Sequence, residues 1–344
     1  MLKIISPFFV LAVAALALGA CNGGGQSSTP IATLKVGMAY DTAGKGDGSF
    51  NDAAYAGLVK ARQELGVEIQ EVVITQNETD SDRQDRLRLL AASGCNPVIA
   101  AGISYSASLG SVAKEFPNTT FAIIDAEITG PNVSSLLFAT EQGSYLVGVI
   151  AASASKSGKI GFIGGMEIPL IKTFEAGYIQ GARSVRSNII IESEYMGSAG
   201  DNTAWNVPEK AKSATEAMIA RGVDVGFAAA GGSNLGMFQA IKAAGGSAKG
   251  LWGIGVDSDQ YNMPTLAGVR DVILTSMMKR VDTAVFEVIK GVAVGSPILG
   301  VQRFDLVREG VGYATSNPAV EPYKPAAEAA AAKIRSGEIK VATQ

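Results

Sequence analysis

Polar and aromatic side chains gather in a few loops of this sequence, each directly after a short apolar run. The residues of interest in these loops are Asp41, Asp47, Phe50, Asn51, Asp125, Trp205, Gly231, Gly232, Asp257 and Lys279. They offer aromatic rings, carboxylates, an amide, an amine and bare backbone, but no nucleophile with a base beside it. This chemistry suits stacking and hydrogen bonding to a ligand better than bond breaking.

The composition excludes several function classes. Histidine is absent from the 344 residues, which removes His-dependent triads, His metal sites and imidazole proton shuttles. The 29 Lys and Arg residues nearly balance the 32 Asp and Glu residues, and no basic block indicates a nucleic-acid groove. Two cysteines cannot form a disulfide framework. We therefore expect a binding protein, not an enzyme, with no metal, cofactor or nucleic acid.

The elements that must position these loops alternate between strand and helix. Strand-like runs are 34–39, 72–74, 97–101 and 120–124, and then 159–164, 189–191, 223–229 and 250–256. Helical patterns follow residue 50, open at a Thr79–Asp82 capping box, and cover 109–116, 145–154, 171–185, 209–221 and 235–244. The series predicts an α/β protein with two doubly wound parallel-sheet lobes joined by hinge strands. Ligands of such sheets bind at the carboxyl ends of the strands, which here places them between the lobes.

The N-terminus has the pattern of an export signal. A seventeen-residue apolar run ends in small residues before Cys21, which is short for a membrane-spanning helix. Leu18-Gly19-Ala20-Cys21 resembles the bacterial lipobox, so we expect Cys21 to be acylated, with a plain secretory signal as the alternative. A Gly- and Ser-rich tether follows. Cys95, before an apolar run, is expected to be a small core residue.

Four motifs in order carry a resemblance to a known family. They are Asp47-Gly48-Ser49-Phe50-Asn51, Ala229-Ala230-Gly231-Gly232, Gly255-Val256-Asp257 with Asp259-Gln260, and Thr275-Ser276-Met277-Met278-Lys279-Arg280-Val281-Asp282. Together they resemble the basic membrane protein family of bacterial lipoproteins. The resemblance implies a type I periplasmic-binding-protein fold, purine nucleoside ligands (guanosine, inosine or adenosine), and delivery to the permease and ATPase of an ABC importer.

These inferences give a domain plan. We expect a signal peptide over 1–20 and a lipidated Cys21 with its tether over 21–32. The first lobe is expected to comprise 33–140 plus about 258–276, and the second lobe 141–257 plus about 277–344. The protein is expected to be an exported monomer, held at the cell membrane by its lipid alone, on the periplasmic or outer face.

The resemblance assigns stacking roles to two rings. Phe50 from one lobe and Trp205 from the other would hold the two faces of a purine; relatives more often carry Phe at the second position. Base–aromatic stacking is worth about 1–3 kcal/mol per base. The alternatives are a core contact for Phe50 and a surface-loop aromatic for Trp205.

Polar groups would hold the rest of the ligand. Asn51 can pair with a base edge, although an N-cap role is an equal alternative. Asp125 accepts from ring N–H or amino groups, which favours guanosine or inosine. Asp257 would accept from the ribose hydroxyls while Lys279 donates to a sugar oxygen; the alternatives are a cap and a surface charge.

The glycines and the remaining acids have weaker assignments. Gly231 and Gly232 would let the backbone approach the sugar, with a plain tight turn as the alternative. Asp41 and Asp47 face the same region, either as contacts or as loop caps. Four carboxylates with one lysine would repel a 5′-phosphate, so nucleosides are expected to bind in preference to nucleotides.

Other readings of the sequence remain. A receptor for another small solute, such as a sugar or signalling molecule, also uses aromatic rings with Asp and Asn. A nucleotide-dependent enzyme is suggested only by Gly161-Phe162-Ile163-Gly164-Gly165, which lacks the full spacing of a dinucleotide loop.

Overall fold

The structure is a computed structural model that describes residues 33–72 and 78–344. Its first sheet contains β1 (Lys35–Ala39), β2 (Glu68–Val72), β3 (Val98–Ala101), β4 (Phe121–Ile124), β5 (Val133–Phe138) and β11 (Gly300–Phe304). The strand order is β11-β5-β4-β3-β1-β2, and every pairing is parallel. The helices associated with this sheet are α1 (Phe50–Leu65), α2 (Asp80–Ala92), α3 (Ser106–Glu115) and α8 (Val281–Ala293).

The second sheet repeats the same plan. It contains β6 (Lys159–Met166), β7 (Ile190–Gly197), β8 (Val225–Ala229), β9 (Trp252–Asp257), β10 (Ile273–Lys279) and β12 (Val311–Tyr313). The order is β12-β10-β9-β8-β6-β7, with only β12 antiparallel among the described strands. Its helices are α4 (Thr140–Ala154), α5 (Pro169–Val185), α6 (Pro208–Ala220), α7 (Asn234–Ala243) and α9 (Lys324–Arg335). The predicted α/β class with two parallel-sheet lobes is confirmed.

The chain crosses between the lobes at three adjacent places. It leaves the first lobe at Ala139, returns after β10 at Arg280, and crosses again between β11 and β12. Backbone hydrogen bonds link these crossings, from Ala139 N to Phe304 O at 2.8 Å and from Arg280 N to Gly310 O at 2.9 Å. The close hinge segments expected from the sequence are therefore present.

The expected lobe membership of 258–276 differs from the sheet membership. Strand β10 pairs in parallel with β9, so it belongs to the second sheet. Gln260 fixes the preceding turn there, since its Oε1 accepts from Val256 N and its backbone N donates to Ser276 Oγ. The return to the first lobe is instead made by α8 and β11, which the sequence plan had placed in the second lobe.

Glycines allow α4 and α5 to pack backbone against backbone. A methyl group on Gly181 would lie 2.0 Å from the carbonyl oxygen of Tyr145, and one on Gly177 would lie 2.2 Å from that of Glu141. Since α4 begins at the first crossing and the start of α5 faces the cleft, this contact joins the hinge rigidly to one wall of the cleft.

The capping box predicted at the start of α2 is confirmed. Thr79 accepts from Asp82 N, and Asp82 accepts in return from Thr79 N at 2.7 Å. Replacing Thr79 by alanine is expected to cost about 1 kcal/mol, because loss of an N-cap leaves a helix N–H unpaired. Thermal melting would measure this, with Ser81→Ala, an exposed residue of the same turn, as the control. Equal melting temperatures for the two variants would contradict it.

Cys95 is buried among apolar side chains, as predicted. The expected signal peptide, Cys21 and tether lie outside the described residues, as do residues 73 and 74 of the second predicted strand. Strand β2 begins earlier than predicted, at Glu68.

Candidate ligand-binding cleft

A cavity lies between the lobes at the carboxyl ends of both sheets. The empty space within it is about 590 Å³, which includes some open solvent. Its lining residues are Asp41, Ala43, Asp47, Phe50, Gly102, Ile103, Ser104, Asp125, Leu170, Ile171, Phe174, Trp205, Ala229, Gly231, Val256, Asp257 and Lys279. Most of the site residues predicted from the sequence therefore meet at one place.

The loop between β1 and α1 forms much of the first wall. Asp47 caps α1, because its carboxylate accepts from the backbone N–H groups of Ser49, Asn51 and Asp52 at 2.9–3.2 Å. An anion at a helix N-terminus is also favoured by the helix dipole. This cap sets Phe50, the first residue of α1, at the edge of the cavity with 8% of its surface exposed.

Asn51 is placed differently from either reading of the sequence. It lies in the first turn of α1, after the N-cap residue Ser49. Its side-chain amide donates to Asp41 Oδ1 at 2.6 Å and Asp47 Oδ2 at 2.9 Å, and its Oδ1 accepts from Asp41 N. Asn51 is fully buried, so it ties the two acids together behind the cavity wall.

Burial changes the acidity of this wall. Burial and, to a smaller extent, the nearby Asp47 carboxylate raise the pKa of Asp41 to about 7, against the opposing hydrogen bond from Asn51. Burial likewise raises the pKa of Asp47. In the second lobe, burial raises the pKa of Asp257 to about 6, against the opposing charge of Lys279.

These raised values predict how stability depends on pH. Asp41 and Asp257 hold protons more tightly in the folded chain than at their ordinary value of 3.8, so the free energy of unfolding falls as pH rises from about 4 to 7. We expect the unliganded protein to melt a few degrees higher at pH 5.5 than at pH 8, since about 1 kcal/mol corresponds to ~2–4 °C. The Asp41→Asn/Asp257→Asn variant should show a flatter profile. A higher melting temperature at pH 8 would contradict the assignment.

Two cavity-lining residues of the first lobe each carry an unpaired polar atom. Ser104 Oγ and Asp125 Oδ1 are buried and have no hydrogen-bond partner among the described residues. Buried polar groups are nearly always paired, so both atoms are suited to a ligand that supplies the partner. Ser104 follows β3 and Asp125 follows β4, so both stand at strand ends.

Lys279 is the single cation among the described lining residues. It is 2% exposed and forms an ion pair with Asp125 across the cleft. Its Nζ lies 4.8 Å from the ring centre of Phe50, 5.2 Å from Phe138 and 5.8 Å from Phe174. The burial of this ammonium group is tolerated because the Asp125 carboxylate and the aromatic rings replace the water that would otherwise hydrate it.

The opposite wall carries Trp205 on a short turn, Asn202–Trp205. Gly231 lines the cavity with a φ of +58°, a conformation that favours glycine. Methyl groups on Gly231 or Gly232 would each stand 3.3 Å from the Trp205 carbonyl oxygen. The two glycines thus permit close approach to the tryptophan backbone.

The sequence analysis missed several lining residues. Leu170, Ile171 and Phe174 come from the first turns of α5, and Gly102 to Ser104 follow β3. All of these residues follow the carboxyl end of a strand. The principle that ligands bind at the carboxyl ends of parallel strands therefore applies to them too. The helical spacing of Phe174 fits a core residue as well, and only 2% of its surface is exposed.

The lobes touch directly around the cavity. Ser49 Oγ donates to Asp257 Oδ2 at 2.7 Å, and Ser258 Oγ donates to Ser49 O at 2.8 Å. Gln260 Nε2 donates to Gly48 O at 2.8 Å. These hydrogen bonds hold the two lobes together beside the cavity.

This architecture defines a class. Two doubly wound lobes with three hinge crossings, and a cleft lined from both sides, are the type I periplasmic-binding-protein fold of solute-binding proteins. An ABC transporter solute-binding protein from Aeropyrum pernix superposes with a TM-score of 0.78 at 27% identity, covering 90% of this chain and 94% of that one.

Residues 34–344 match the family described as ABC transporter substrate-binding protein PnrA-like, or Bmp. The chain is 32% identical to the ABC transporter nucleoside-binding protein BmpA of Lactococcus lactis, over 96% of this chain and 98% of that protein. It is 31% identical to an uncharacterized lipoprotein of Pyrococcus abyssi, over 88% of this chain and 74% of the relative. The chain belongs to the Bmp family of ABC transporter substrate-binding proteins, as its motifs predicted.

Within residues 33–72 and 78–344, the helices are too short or too polar to span a bilayer.

Proposed function

We propose that this protein captures purine nucleosides in the cleft and delivers them to an ABC importer, without catalysing a reaction. The observation that carries the proposal is the placement of Phe50 and Trp205 on opposite lobes around one cavity. A purine offers two flat faces, and stacking on each is worth about 1–3 kcal/mol. The name of the Lactococcus lactis relative, a nucleoside-binding protein, supports the same ligand class.

Polar groups near these rings suit the remainder of a nucleoside. Asp257 and Lys279 end neighbouring strands of the second sheet, where an acceptor and a donor can hold two ribose hydroxyls. The unpaired Asp125 Oδ1 and Ser104 Oγ can bond the polar edge of the base. Because Asn51 is engaged by Asp41 and Asp47, its part in binding is to hold the wall rather than to contact the base.

Binding is proposed to close the hinge. Ser49, Ser258 and Gln260 join the lobes beside the cavity, and a ligand held by both walls would favour the same closed arrangement. Cys21 is proposed to carry the lipid that holds the protein at the membrane, and the closed form would dock on a permease.

Thermal-shift screening tests the ligand class directly. The chain without residues 1–21 would be melted with nucleosides, nucleobases, nucleotides and sugars, because a ligand bound only to the folded state raises the melting temperature. Inosine, guanosine or adenosine should raise it with increasing concentration. A rise with a monosaccharide and none with the nucleosides would replace the proposal by a sugar receptor.

Charge predicts exclusion of nucleotides. Among the described residues, four carboxylates and one lysine line the cavity, and the carboxylates would repel a 5′-phosphate. Inosine monophosphate is expected to bind at least about tenfold more weakly than inosine, a penalty of ~1.4 kcal/mol. Calorimetry at pH 7.5 measures both affinities, and equal values would overturn the charge argument.

A further inference from the structure

The indole of Trp205 lies directly on the backbone of Gly165, the second-last residue of strand β6. A methyl group on Gly165 would come within 2.2 Å of Cζ3, 2.5 Å of Cε3 and 3.1 Å of Cη2. All three atoms belong to the six-membered ring. Real side chains do not approach so closely, so the ring occupies the space that any other residue at position 165 would fill.

The turn that carries Trp205 has little freedom to move away. Ser233 Oγ donates to Ala204 O at 2.9 Å and accepts from Val207 N at 2.8 Å, which fixes the backbone on both sides of the tryptophan. Gly231 and Gly232 lie close to the Trp205 carbonyl. A side chain at position 165 would therefore displace the ring rather than the whole turn.

The adjacent glycine serves a different ring. A methyl group on Gly164 would lie 2.6 Å from Cδ1 and Cε1 of Tyr195. Gly164 and Gly165, part of the run that resembled a dinucleotide loop in the sequence, thus lie inside strand β6, where they accommodate aromatic side chains.

We propose that Gly165 is a positioning residue for ligand binding: it seats the Trp205 indole and thereby sets the width of the slot between Trp205 and Phe50. This inference rests on the proposed function. A side chain at position 165 would push the indole into the slot that a planar base must enter.

The size of the ring provides the test. A phenylalanine at position 205 lacks the outer atoms of the indole, including Cζ3 and Cη2, that rest on Gly165. Gly165→Ala should therefore weaken ligand binding when Trp205 is present and have little effect on binding when position 205 carries Trp205→Phe.

Calorimetry with inosine on the parent, Gly165→Ala, Trp205→Phe and the double variant forms a double-mutant cycle. Gly165→Ala alone is expected to weaken inosine binding at least about tenfold, and by less than about threefold when Trp205→Phe is present. Gly161→Ala, on the same strand but facing Met218 and Val223, is the control and should keep the parent affinity. Equal losses in both backgrounds, or no loss, would overturn the proposal.

A ligand-free measurement separates this inference from the proposed function. With Trp252→Phe, the only other tryptophan is removed and the emission reports Trp205 alone. Gly165→Ala should then raise acrylamide quenching, because the indole is displaced from the Gly165 backbone and becomes more accessible. If Gly165→Ala raises the quenching but the parent binds no nucleoside, the nucleoside proposal is refuted while the positioning of Trp205 by Gly165 stands. If Gly165→Ala leaves the quenching unchanged, the positioning role of Gly165 is refuted.

Discussion

Replacing both Phe50 and Trp205 by alanine is expected to abolish inosine binding in the micromolar range. Each ring should contribute about 1–3 kcal/mol of stacking, so their joint loss weakens binding by about 30-fold to 10⁴-fold. The expected effect is large because the rings come from opposite lobes and hold the two faces of the same base. Calorimetry with the single and double variants would measure it.

A matched pair of aromatic residues provides the control. Phe116 in the first lobe and Trp252 in the second are half-buried and pack against the cores rather than lining the cavity. Phe116→Ala/Trp252→Ala should lower the melting temperature but leave inosine affinity near that of the parent. If Phe50→Ala/Trp205→Ala bound inosine as tightly as this control, base stacking would be excluded.

Replacing Lys279 by methionine is expected to destabilise the fold and to eliminate nucleoside binding. The substitution leaves Asp125 without its ion-pair partner and removes the charge that favours ionised Asp257. Removing one member of a buried ion pair typically costs about 3–5 kcal/mol. Thermal melting at pH 7.5 and inosine calorimetry would record both effects.

A second substitution tests the electrostatic reason. Asp125→Asn in the Lys279→Met background removes the uncompensated carboxylate, so it should restore part of the melting temperature without restoring binding. Lowering the pH to 5.5 should also narrow the gap to the parent, because Asp257 then gains a proton. A Lys279→Met variant as stable as the parent would show that the ammonium does not balance this site.

The sequence predicted the strand-end positions of the site well. Alternating patterns located the strands and helices because each depends on local periodicity, and the strand ends then had to meet at one edge of each sheet. Asp125, Asp257 and Lys279 were found in this way. The family motifs pointed to Asp257 and Lys279 as well, whereas Asp125 lies outside those motifs.

What the sequence could not show depends on contacts between distant segments. Strand β10 resembles any buried strand, and its membership of the second sheet is decided by pairing with β9, not by its own pattern. Asn51 has a side chain that fits a cap or a ligand, and only the positions of Asp41 and Asp47 decide its role. Likewise, a side chain at position 165 is excluded by the ring of Trp205, forty residues further along the chain.

Backbone geometry at two of the acids limits the chemistry available to this cleft. Asp125 and Asp257 have φ angles of +68° and +65°, a region that costs most side chains about 1–2 kcal/mol and that Gly, Asn and Asp tolerate best. In a library of variants at these two positions, most substitutions would therefore destabilise the backbone conformation, whatever their effect on ligand affinity. New specificities can readily exchange an acid for an amide or for bare backbone there, whereas larger changes of preference must arise elsewhere on the walls.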